Sequence, residues 1–246
     1  NDLGGSVNIQ SGSSIQSASG SIAIKTGSTK GEDQSSGGIV LQSGQADNSG
    51  DVNIKSGVAL SGSSGDIKLS AGIGDQAAGG SIFMSGGLSS LGFGGNVIIK
   101  AGASSGTQES GAVKILGGSA SRSTGGALQL NTGSSESVVS GLIEMATGTA
   151  LKSGEINMKS GGSTGLISGG IQVATGNSLG GSGSIAIEAG DSSSNGGNVM
   201  INAGTASTST GGSIYVMTGN GLNSGHIKFK TGEGQSDTGK LEIETG

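Results

Sequence analysis

The chain has no cysteine, no proline and no tryptophan, and aromatic residues make up 2% of its 246 positions. Without cysteine, neither a disulfide nor a thiolate metal site can hold it together. Without proline, and without glycine at every third residue, it is not collagen-like. Large side chains are too few to fill a round core. Charge is also scarce, at 12% of residues with a formal net charge of -5. That balance does not fit charge-driven disorder. With no basic-aromatic patch it also argues against a nucleic-acid partner. No apolar run approaches the ~20 residues of a membrane-spanning helix, so membrane insertion is not expected. No Asn-x-Ser/Thr acceptor occurs, which makes N-glycosylation unexpected.

Glycine and periodicity are what the chain has. Its 55 glycines are about three times the usual ~7%. Hydrophobic residues reach 31%, too many for a flexible Gly/Ser linker. A repeated unit accounts for both. It reads Gly-x-φ-x-φ-x-small-Gly, followed by a Ser/Gly-rich connection. It opens at Gly5, Gly20, Gly37, Gly50, Gly65, Gly80, Gly95, Gly111, Gly126, Gly141, Gly154, Gly169, Gly183, Gly197, Gly212, Gly225 and Gly239. These 17 copies are spaced by 13 to 17 residues, and their opening and closing glycines account for 34 of the 55.

Within the unit the apolar positions alternate, which is the period of an extended strand and not of a helix. The first φ position is aliphatic in all 17 copies, from Val7 to Leu241. The second is apolar throughout, with Met84, Met145, Met158 and Phe229 among its members. The small position carries only Ser, Thr, Ala or Gly. No charged residue occupies any of the three. Charges such as Lys25, Lys68, Lys100, Glu144 and Glu188 take the alternate positions. Each unit therefore has one apolar side and one wet side, and is too small to fold alone.

These features predict an all-β chain, a parallel β-solenoid of 17 repeats of about 15 residues running continuously through residues 1–246. Two facing strands per coil would put φ against φ across a core about 10 Å thick, and this is preferred to one strand per coil. The framing glycines are expected at corners that need φ > 0 or close approach. The terminal copies lack the atypical capping units of solenoids. That leads us to expect either a longer array or end-to-end stacking of subunits. One mutational pair expresses the face assignment. Ile99→Asp is expected to be severely destabilising, by burying an unpaired charge, and Lys100→Ala near neutral.

Sites for chemistry are few. His226 is the one histidine and follows an opening glycine on the wet side. No histidine and acid are spaced with a serine to suggest a triad. Neither an enzyme nor a cofactor is expected. Asp33, Asp47, Asp75, Asp191 and Asp237 lie in connections near glycines, but they do not recur in every copy as in calcium-binding β-rolls. No metal site is assigned to them. None of the 51 outward strand positions is threonine, which disfavours a flat ice-binding row. Two outward groups are apolar on neighbouring copies: Phe83 with Ile98, and Met200 with Tyr215 and Met217. They are candidate lateral contacts between chains.

The unit Gly211-Gly212-Ser213-Ile214-Tyr215-Val216-Met217-Thr218-Gly219 resembles the short-repeat arrays of large secreted or cell-surface proteins of diatoms and other microalgae. It is also similar to Gly-rich segments of phage tail fibres. The resemblance covers the whole chain. It implies a structural role in an extracellular filament or cell-surface fibre, with self-association as the main partnership. The alternatives are the shaft of an adhesin or phage fibre, and a solenoid binding ice or polysaccharide along one side.

Overall fold

A computed structural model describes residues 4–31, 34–136, 138–165, 167–234 and 237–245. Among these residues there is no helix and no β-strand, only extended segments separated by bends. By contact the chain divides into two units, Asn1–Gln129 and Leu130–Gly246. Both are built from the same two parts, the apolar segment and the serine-rich connection.

The bends form as the connection residues dictate. Serine hydroxyls accept hydrogen bonds from backbone N–H groups two or three residues further on. Ser17 N donates to Ser14 Oγ at 3.0 Å, Gly92 N to Ser89 Oγ at 2.8 Å and Val138 N to Ser135 Oγ at 3.1 Å. The tighter version links Gly180 N to Ser178 Oγ and Ser194 N to Ser192 Oγ, each at 3.1 Å. These are local serine turns, the reason this residue favours bends over regular structure.

Most bends bring the chain back to the end of the unit it has just left. At nine of the 16 opening glycines that follow an earlier unit, the N–H donates to the carbonyl of the preceding closing glycine. The Gly20 to Gly12 bond is 2.9 Å, the Gly80 to Gly72 bond 3.0 Å, the Gly126 to Gly118 bond 2.8 Å and the Gly212 to Gly204 bond 2.9 Å. Where the bond forms, it is longest across the shortest connections. The five-residue connection before Gly225 and the six-residue one before Gly197 stretch the bond to 3.4 Å.

The pinch accounts for glycine at the tightest of the openings. A Cβ on Gly80 would lie 3.1 Å from the Ala71 Cβ, and one on Gly212 would lie 3.3 Å from the Ala203 Cβ. Ala71 and Ala203 are the small residues of the preceding units. Of the 16 opening glycines that follow an earlier unit, 14 face the small residue or closing glycine behind them. Where the small position is itself glycine, at Gly86 and Gly117, an added Cβ would run into the carbonyl oxygen of Gly95 or Gly126. The closing glycines, by contrast, have open space around them, as at Gly72, Gly118 and Gly204. None of the described glycines has a φ in the left-handed region. Close approach is the operative half of the corner expectation, and positive φ is not.

The β-solenoid expectation is overturned. In a two-strand coil the ends of successive strands stand about 10 Å apart, with side chains filling the gap. Here, at nine of the 16 connections, they stand at hydrogen-bond distance, so the space a core would occupy there is closed. In a one-strand coil a seven-residue connection would have to return some 23 Å to the start of the previous strand, close to its full reach. The serine turns bend it instead. The extended segments therefore meet at their ends and share no ladder, and close approaches are almost all between residues near in sequence.

Nothing is buried among the described residues. The accessible surface is 25463 Å², whereas a compact chain of 23.2 kDa would expose about 9,700 Å². The aliphatic rungs expected inside a dry seam are open to solvent, from 47% exposed at Ile227 to 89% at Val7.

Two exchange measurements follow. Gly212→Val should abolish the protection of amide 212, about fivefold for one bond near 1 kcal/mol, while Gly204→Ala should retain it. Ser89→Ala should speed amide exchange at Gly92 and leave Gly95 unchanged.

Candidate interaction surface

The alternation of the sequence survives as a gradient of exposure. In one unit Ile82 is 51% exposed, Phe83 91% and Met84 66%. The same order holds for Val97, Ile98 and Ile99, and for Val199, Met200 and Ile201. Successive side chains of an extended chain point to opposite sides, so within each unit the φ residues share one side and the alternate residues the other. Asp66 and Lys68 confirm the spacing, since residues two apart pair at 3.2 Å. Both are exposed, and such pairs contribute little to stability.

Four of the five least exposed residues suggest a third row. Ser11, Ser43, Ala101 and Ala203 are half-buried in the small position, and Ala59 is half-buried in a connection. The opening glycine of the next unit, or the turn leading to it, lies against the first four. In these four units the apolar side reads as two open aliphatic residues followed by one half-buried small residue, and in the other 13 the small residue is exposed.

Hollows interrupt the surface. Two sit at the connections before Gly50 and Gly65, the two opening glycines after the first unit with nothing within 4 Å. One hollow of about 410 Å³ is lined by Gln42, Ser43, Gln45 and Ser49, and one of about 380 Å³ by Ser56, Val58, Ala59 and Ser64. Another, about 270 Å³, lies between Phe229 and Leu241, flanked by Lys228 and Lys230. Lys230 also reaches Glu233 at 3.7 Å.

The sequence-derived candidates are all at the surface. Phe83, Ile98, Met200, Tyr215 and Met217 are each between 78% and 91% exposed. At such values none of them covers another to any extent, so they stand as separate apolar projections and not as packed pairs. The connection residues Leu88, Phe93, Val138, Val139 and Ile167 are equally open. His226, Asp47, Asp75, Asp191 and Asp237 are exposed, and Asp33 lies outside the described residues. Among the described residues no three His, Asp or Glu side chains converge as a metal site would require. No helix among them is long and apolar enough to cross a membrane.

Sequence reading missed the pairing of each opening glycine with the small residue behind it. The signal was present at Gly86 and Gly117, where a glycine in the small position precedes the connections to Gly95 and Gly126.

The exposure of Ile99, at 62%, revises the expected mutational contrast. In the isolated chain the Ile99→Asp charge stays hydrated. Circular dichroism and hydrodynamic radius at low micromolar concentration should be as little altered by Ile99→Asp as by Lys100→Ala. A selective collapse of Ile99→Asp would restore an interior at this position.

No known protein family, curated protein or solved structure matches the chain.

Proposed function

We propose that this is a structural, fibre-forming protein of the cell exterior, whose repeats supply length and many equivalent attachment points. One observation carries the reading. All 17 first φ positions are aliphatic, yet every one of them is about half exposed or more in the single chain. Globular proteins place such residues inside. A chain that keeps a row of them open along its whole length is suited to assembly, not to catalysis in a pocket.

The remaining features support the same reading. The wet side mixes nine lysines with seven acids, a near-balanced surface that keeps an open chain soluble. Serine connections bend the chain locally and need no partner to do so. The extracellular assignment rests on the resemblance to secreted and cell-surface repeat arrays.

Electron microscopy of the native material tests the proposal. Filaments of uniform width, composed mainly of this chain, are expected. A monodisperse population without filaments at concentrations up to ~1 mM would overturn it. In the filaments, Phe83→Ser with Ile98→Ser should abolish side-by-side bundling, and unchanged bundling would remove the lateral role of that pair.

A further inference from the structure

The exposed area defines what the apolar side needs. The chain leaves roughly 16,000 Å² more surface in water than a compact chain of its mass would. A standard protein interface covers about 800 Å² of each partner. One compact partner would therefore cover only a small part of the excess. The occupant has to be as long and as repetitive as the chain itself.

A lipid surface fits less well. The lysines of the wet side are interspersed with acids, and the net charge is -5, so nothing draws the chain to an anionic membrane. The aliphatic row is also interrupted in every unit by a polar serine-rich connection.

Building on the fibre-forming reading, we infer that the apolar side is covered by a second copy of this chain, aliphatic row against aliphatic row. The two rows carry the same residue type at the same average spacing, so a match at one unit brings the next units close to register. The half-buried small residues, Ser11, Ser43, Ala101 and Ala203, provide shallow steps between the aliphatic pairs. Because the 17 units are nearly equivalent, the second copy can also seat displaced by one or more units. Overlap of that kind leaves uncovered units at each end, ready for another copy.

The test compares two variants of the full chain altered in the same four units. The first replaces Ile82, Val97, Val199, Ile214 and Val216 with serine, on the apolar side. The second replaces Phe83, Ile98, Met200, Tyr215 and Met217 with serine, on the outer side. Sedimentation velocity from ~1 µM to ~1 mM should show the native mass rising with concentration. The apolar-side variant should need at least tenfold higher concentration to reach the same mass. The outer variant should begin to associate at the same concentration as the native chain and lose only the side-by-side bundling of the filaments. A native chain that stays monomeric throughout, or an apolar-side variant that associates as the native does, would overturn the inference. Monomeric chain that instead floats with phosphatidylcholine vesicles would overturn it in favour of lipid. Filaments that persist unchanged in the apolar-side variant would sink this contact while leaving the fibre reading standing. Association into closed dimers without filaments would do the reverse.

Discussion

A single contact governs the structure, the approach of each opening glycine to the closing glycine and small residue behind it. One N–H to carbonyl bond closes the connection, and the missing Cβ of the opening glycine makes room for it. The contact is local, across five to eight residues where the bond forms. It draws the ends of neighbouring segments together and leaves their middles apart. Everything else follows from that geometry. Among the described residues the extended segments form no ladder, the aliphatic residues have no facing layer, and none is buried. The bond forms at nine of the 16 connections, and the hollows before Gly50 and Gly65 mark the two where even the close approach is lost.

Much of this was legible in the sequence, though at an unexpected level. The repeat boundaries, the alternation of apolar and wet positions and the turn character of the serine connections all reappear in the structure. The half-exposed Ile82 beside the open Phe83 is the alternation expressed in accessible area. What could not be read was the path between units. Glycine permits both positive φ and close backbone approach, and periodicity alone does not say which is used. A parallel coil requires the chain to return to the start of the previous unit or to cross a filled gap. The pinch sends it to the end of that unit instead. The candidate contacts Phe83, Ile98, Met200, Tyr215 and Met217 were legible as exposed positions, because outward placement needs only the period of two. Whether they touch one another depends on the path, and there the sequence was silent.

The two sides of the chain are thus separable in origin. The wet side is settled within one unit, by residues such as Asp66 and Lys68 that meet across a single intervening position. The apolar side is not settled by the chain at all. Its aliphatic residues carry a hydrophobic cost that grows with every added copy, and no arrangement of the connections described here relieves it. A longer array of the same kind therefore has more to gain from association than a shorter one.

The pinched connections also have a mechanical meaning. Each holds several residues out of the line of the chain behind one hydrogen bond near 1 kcal/mol. Tension along the chain would open the weakest first, at the stretched bonds of Gly197 and Gly225, and then the shorter ones. Every opening would release on the order of 20 Å of slack without breaking a covalent link or exposing anything not already wet. On release of the load the serine turns would gather the slack again. A strand built in this way would yield in small recoverable steps, as a tether does, before its backbone bears the full pull.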